Sequence, residues 1–102
     1  MIHFVEGHIE EVNPSYVVIN VNGIGYEIHI SLFTYEKIKN LSECRLLTYF
    51  LVKEDAQQLY GFFDGDEKAI FSLLITVSGI GASTAQSILS SLGTNEIKNA
   101  IL

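Results

Sequence analysis

The hydrophobic period of this chain changes three times, and that succession restricts the fold more than any other feature. Ile2 to Val12 and Tyr16 to Val21 (YVVINV) read as strands separated by Asn13-Pro14-Ser15, a turn in which proline fixes φ and asparagine bonds nearby backbone. Asn22-Gly23-Ile24-Gly25 then supplies the positive-φ residues of a tight hairpin, and Tyr26 to Ile30 (YEIHI) alternates apolar and polar. Next the period becomes helical: Leu32, Tyr35 and Ile38 recur at helical spacing behind Ser31, a candidate N-cap, with Leu41 as a further member of that face. It reverts to strand at Cys44 to Val52 (CRLLTYFLV), an apolar run expected of a strand covered on both faces, and at Gln57 to Phe63 (QQLYGFF). From Asp64 onward it is helical to the end.

Three strands, a helix and two strands is the connectivity of the OB-fold, a five-stranded, partly open Greek-key barrel. An SH3-like barrel would not place a helix at 32–41. Gly7 and Gly61 suit the sharp strand bends that a small barrel requires. The expected architecture is therefore a β barrel plus α: an OB-fold domain over 1–63, followed by a truncated helical domain over 64–102.

In that second part Asp64 and Glu67 resemble a capping box, Ile70, Phe71, Leu74 and Ile75 trace an apolar face, and Ser78-Gly79 is the expected stop. A second helix begins after Gly81 and turns Ala85, Ile88, Leu89 and Leu92 inward before Gly93 ends it in the left-handed region. Thr94 would cap a third helix, Glu96 to Leu102, which reaches the last residue without a stop signal. The chain reads as cut rather than finished.

Charge narrows the function. Across 102 residues, six Lys and Arg stand against twelve Asp and Glu, a net charge of -6 with a pI near 4.8, and neither part is basic. A general nucleic-acid coat, which depends on clustered cations that release counterions, is disfavoured. A lone cysteine, Cys44, excludes an internal disulfide framework and reads as a small buried hydrophobe. The N-terminus lacks the basic region and apolar stretch of a signal peptide, and no window is long enough for a membrane span, so a cytoplasmic protein is expected.

The segment Val77-Ser78-Gly79-Ile80-Gly81-Ala82-Ser83-Thr84-Ala85 has the form helix, G-h-G hairpin, helix, with Ala85 four positions after the second glycine. In such a hairpin the glycines turn the backbone tightly and Ile80 plugs the gap between helices. The turn amides and those of the next first turn then face outward as an anion site. A helix-hairpin-helix of this kind holds phosphate largely through backbone N–H groups, so an acidic chain can use it. The plainer alternative is an αα-hairpin that only packs two helices. Many such hairpins carry Lys two residues after the second glycine, where this chain has Ser83; a hydroxyl at Ser83 or Thr84 donates to phosphate but releases no counterion.

Lys53-Glu54-Asp55 falls between the last two strands. Two carboxylates at a hairpin tip are ordinarily a solvated turn. Held against DNA, they would repel phosphates by on the order of a kcal/mol per pair at low salt, enough to steer strands apart, and Lys53 could hold the adjoining backbone.

Taken in order, an early glycine after Ile2, N-G-I-G-Y-E at 22–27, V-K-E-D-A at 52–56, L-Y-G-F at 59–62 and V-S-G-I-G at 77–81 make a chain that resembles the RuvA family of Holliday-junction branch-migration proteins over essentially its whole length. The resemblance implies an OB-fold domain that forms a homotetramer, or an octamer of two such rings. A domain with two helix-hairpin-helix motifs follows, then a linker and a small domain that docks on a RuvB-type ATPase motor. A RuvC-type junction resolvase would be a further partner. The second hairpin and the motor-docking domain would lie beyond Leu102. By position, Gly79, Ile80, Gly81, Ser83 and Thr84 would face DNA phosphates, Glu54 and Asp55 would form the acidic pin that separates strands at the crossover, and Lys53 would touch the backbone beside it. The resemblance implies no catalytic residue, cofactor or metal, the ATPase residing in the partner, and a role in recombination and DNA repair. The family's first strand often carries basic residues where this chain has Phe4 and Glu6, so weak DNA binding is expected of this stretch alone.

Other constellations are poorer. His3, His8 and His29 are scattered on strands without the partners of a zinc site, and no nucleophile motif or P-loop occurs. Tyr16, Tyr26, Tyr49, Phe50, Tyr60 and Phe62 could stack bases, but their apolar neighbours favour packing. The competing function is an acidic OB-fold module that oligomerises and docks proteins without direct DNA binding.

Overall fold

The computed structural model describes residues 1–91, so Leu92, Gly93 and the helix expected from Thr94 to Leu102 lie outside the described residues. Five strands, β1 (Phe4–Val12), β2 (Tyr16–Val21), β3 (Ile24–Ile30), β4 (Glu43–Lys53) and β5 (Ala56–Phe62), close a barrel in the order β1-β2-β3-β5-β4. All pairings are antiparallel except β3 with β5. That parallel pair requires a crossover, and α1 (Leu32–Ile38) lies in it, as the OB-fold connectivity demands.

Local chemistry sets the turns. Asn13 Oδ1 accepts from the amides of Ser15 (2.8 Å) and Tyr16 (2.9 Å). Asn22 (φ 53) and Gly23 (φ 93) alone form the next turn, so β3 starts at Ile24, two residues before the expected Tyr26. Gly61 is required by space: a Cβ there would stand 2.5 Å from Ile28 Cγ2 in the barrel interior. The interior is filled by Val5, Val17, Ile19, Ile28, Ile30, Ile38, Leu46 and Leu59.

Ser31 caps α1 as expected, its side chain accepting from Thr34 N, but the helix ends at Ile38 and Leu41 is exposed. Among the described residues the C-terminal part contains α2 (Gly65–Leu74) and α3 (Ala82–Ser91). Alternation along β5 directs Leu59 inward and Tyr60 and Phe62 outward. Those two join Phe71, Ile70 and Leu74 of α2 and Ala85 and Leu89 of α3 in a second core on the outer barrel wall. The Phe71 ring sits 4.9 Å from Phe62 and 5.5 Å from Tyr60, centroid to centroid. Tyr49 and Leu51 of β4 pack on the same core, which accounts for the apolar run of that strand, although Val52 at its end is exposed.

α2 stops at Leu74, short of the expected Ser78-Gly79. Ile75-Thr76-Val77 is β-branched throughout, which disfavours helix. The Thr76 hydroxyl donates to the Leu73 carbonyl (2.6 Å), and the amides of Thr76 and Val77 turn to carbonyls three residues back.

Candidate nucleic-acid interface

The α2–α3 hairpin brings Gly79, Ile80, Gly81, Ser83 and Thr84 into one turn and the helix that follows it. The two glycines differ in what they do. Gly79 has φ 87 and open space around a would-be Cβ, so its role is conformational. Gly81 has no positive φ; its carbonyl accepts from Ala85 N at 3.0 Å, which places it at the N-cap of α3. With no side chain to cap, it leaves the amides of Ala82, Ser83 and Thr84, which have no intrahelical acceptor, open to an external one. Ser83 and Thr84 are exposed beside them, and Ile80 is half-buried in the second core as a plug. Ala85 is fully buried, where a larger side chain would part the helices. α3 contains no charged side chain, so the positive potential at its start is that of the amides and the helix dipole.

The second predicted group sits on a different element. Lys53 pairs with Ala56 in the β4–β5 ladder, leaving Glu54 and Asp55 as a two-residue tip, with all three side chains exposed. Lys53 and Ala56, expected in the connection, extend the two strands instead, so the connection is the shortest antiparallel one and projects two adjacent carboxylates from the end of the barrel.

Elsewhere on the barrel the surface is unfavourable to DNA. The outer faces of β1 and β3 and the start of β4 expose Glu6, Glu10, Glu11, Glu27 and Glu43. Tyr16 donates to Glu11 at 2.9 Å, a bond that raises its phenol pKa. Arg45 lies 4.1 Å over the Phe4 ring and Lys39 pairs with Glu36 at 2.7 Å. Of the aromatic residues weighed for base stacking, Tyr60 and Phe62 are buried and Tyr26, Tyr49 and Phe50 pack against the two cores; only Tyr16 belongs to neither. Cys44 is half-buried, and burial pushes its thiol up to about 11, which leaves little thiolate. Among the described residues no group of three or more His, Cys, Asp or Glu is placed to hold a metal ion, and no helix is long and apolar enough to cross a membrane.

A cleft of about 420 Å³ opens between α3 and the barrel, lined in part by Ser15, His29, Tyr60, Ser83, Gln86 and Ser87. Sequence pattern gave no sign of it, because its two walls are far apart in the chain.

Glu67 is the residue whose place differs most from expectation. Asp64 does cap α2, accepting from Glu67 N at 2.9 Å. The Glu67 side chain, however, is fully buried rather than closing a capping box. It accepts from the Ser31 hydroxyl, from the Thr34 hydroxyl (2.5 Å) and from Phe63 N (3.3 Å). Burial raises its pKa, and the three donors pull it back only in part. The D-x-x-E pattern located α2, but nothing local indicated donors more than thirty residues upstream.

Residues 1–61 match the family described as RuvA N terminal domain. The chain is 48% identical over 101 residues to a Holliday junction branch migration complex subunit RuvA of Bacteroides fragilis, covering 99% of this chain and 50% of that protein. Subunits of the same name from Christiangramia forsetii and Flavobacterium psychrophilum are 50% and 46% identical over 101 residues, with 99% of this chain and 52% of each relative covered. The chain thus spans about half the length of the curated relatives it matches.

Proposed function

The chain belongs to the RuvA family, and from that premise we propose that it forms the oligomerising and first DNA-gripping portion of a subunit that binds four-way junctions. Residues 1–63 act as the barrel unit that assembles into a homotetramer, or an octamer of two tetramers, and 64–102 as part of the DNA-gripping unit. The amides at Gly79, Gly81 and the start of α3, with the Ser83 and Thr84 hydroxyls, hold backbone phosphates. Glu54 and Asp55 keep strands from re-pairing across the crossover, and Lys53 steadies the adjoining backbone. The subunit works in the cytoplasm and is non-catalytic. A RuvB-type ATPase, docked through a domain outside this chain, drives migration, and a RuvC-type resolvase acts on the same junction.

The observation that carries this reading is the pairing of an uncapped helix start at Gly81 with an exposed two-carboxylate tip at 54–55 on one small scaffold. Amides attract phosphate where the carboxylates repel it, so a branched substrate with strands to either side of a centre fits better than continuous duplex. The test is a gel-shift comparison of four-way junction and linear duplex with the full-length protein across a salt series, repeated with Glu54→Gln and Asp55→Asn together. Preferential junction binding that weakens with salt, and that loses selectivity in the double variant, supports the proposal. Equal binding of the two DNAs would remove it in favour of the protein-docking module.

A further inference from the structure

Among the described residues, Glu67 is the only charged side chain that is fully buried, and no step of junction binding uses it directly. Its bonding partners come from two separate places in the chain. Ser31 and Thr34 belong to the first turn of α1, between β3 and β4, whereas Phe63 lies at the joint between β5 and α2. The network is directional. Thr34 N donates to Ser31 Oγ (3.2 Å) and Phe63 N donates to Thr34 Oγ1 (3.1 Å), and each hydroxyl in turn donates a hydrogen bond to the Glu67 carboxyl group. The same turn of α1 also reaches the other helix, Leu32 N donating to Ser90 Oγ at 3.1 Å. One helical turn is therefore bonded to both helices that flank the hairpin. Apolar contact between the helices and the barrel is non-directional and tolerates sliding, whereas hydrogen bonds at these distances fix position and angle.

The geometry points to Glu67 as a positioning residue that sets where the Gly79–Thr84 hairpin stands relative to the Glu54-Asp55 tip, and so sets selectivity for branched DNA. This inference rests on the proposed function for its DNA consequence but not for its structural one. In Glu67→Gln the side chain keeps its shape while one acceptor oxygen becomes a donor, so the hydroxyl facing it must turn round and accept, and the network loses both its fixed direction and any charge assistance.

The experiment uses full-length protein with Cys44→Ala and spin labels at Gln57 and Ser78, both exposed, one beside each DNA-facing group. Glu67→Gln, and Thr34→Val as a milder variant that removes a single hydroxyl, are compared with the labelled parent. The expected result is a shifted or broadened 57–78 distance distribution in both variants while thermal unfolding stays cooperative. Junction-over-duplex selectivity falls about fivefold, as loss of roughly one net hydrogen bond would bring. An unchanged distance distribution in the folded variants overturns the inference, as does a change in melting temperature with no change in distance or selectivity. Should the labelled parent itself show no preference for junction, the proposed function falls, and the distance comparison still decides the role of Glu67. Failure of Glu67→Gln to fold leaves the decision to Thr34→Val.

Discussion

Replacing Gly79 separates backbone strain from crowding, because the structure removes crowding at that position. Its φ is 87, and a Cβ added there meets no heavy atom within 4 Å. A residue substituted for Gly79 therefore pays for conformation and not for size. Alanine in the left-handed region costs about 1–2 kcal/mol, while its lower entropy in the unfolded chain returns about 0.4–1 kcal/mol. The net loss is at most roughly 1.6 kcal/mol, with a midpoint of about 0.8 kcal/mol, which for a domain of this size lowers the melting temperature by roughly 3–6 °C at the midpoint. Asparagine is larger than alanine yet visits the left-handed region readily, so Gly79→Asn should cost less than Gly79→Ala, and Gly79→Val should cost the most. The control is Gly81→Ala, where a weaker N-cap and a stiffer unfolded chain roughly offset each other and stability stays within about 0.5 kcal/mol. Thermal unfolding by circular dichroism, checked by denaturant titration, measures all four. A cost that follows side-chain volume, with Asn worse than Ala, would refute the assignment of Gly79 as a conformational residue.

Phe71→Ala should cost about 3–5 kcal/mol in denaturant unfolding, since a fully buried ring at the centre of the second core leaves a cavity against Phe62 and Tyr60. Gly61→Ala should cost about 1–3 kcal/mol by the same measurement, because the new methyl meets Ile28 Cγ2 at 2.5 Å and Leu46 Cδ1 at 3.1 Å inside the barrel. Glu67 has a folded pKa raised above its ordinary 4.5, chiefly by burial, so its protonation favours the folded state. That contribution is complete below about 4.5 and is lost as pH rises through the folded value. The stability of the parent relative to Glu67→Gln should accordingly increase as pH falls through this window, and denaturant midpoints that move the other way would contradict it. Ser83→Lys should tighten junction binding at low salt and steepen the log–log salt dependence by roughly 0.9 for each hairpin copy engaged, measured by fluorescence anisotropy; an unchanged slope would place position 83 away from phosphate.

The barrel was legible because its signals are local. Period-2 runs and two Asn-containing turns located β1, β2 and β3, and Ser31 marked the start of α1 one residue before the helix observed. Errors arose where local signals compete. The apolar spacing of Ile70, Phe71, Leu74 and Ile75 extended α2 toward Gly79, but β-branched Ile75-Thr76-Val77 and the Thr76 back-bond close it at Leu74. The site residues were placed in sequence by motif, yet the motif treats Gly79 and Gly81 alike, and only backbone angles separate the turn-former from the helix cap. Glu67 has the local geometry of an N3 residue and so reads as a capping-box partner, whereas its actual partners depend on how α1 meets α2. Ser31 carried a similar double role: read as a cap, it also donates to the carboxylate.

A net charge of -6 changes meaning once the acids are located. Glu6, Glu10, Glu11, Glu27 and Glu43 are exposed on the barrel, Glu67 is sequestered inside, and Glu54 and Asp55 stand at a tip. The hairpin side of α3 carries no formal charge at all, so it neither adds to this repulsion nor offsets it with cations. A phosphate grip built from amides and hydroxyls is short-ranged: it acts only where hydrogen-bond geometry is met, unlike a lysine patch that attracts duplex from a Debye length away. Selectivity in such a binder has to come from fit. On the proposed reading, a backbone misplaced by an ångström loses its amide bonds and still feels the carboxylates, and the penalty falls hardest on DNA that cannot part around them. The distance between attraction and repulsion is then the quantity that matters. That makes a buried, directional joint at Glu67 worth more to this chain than further positive charge on its surface.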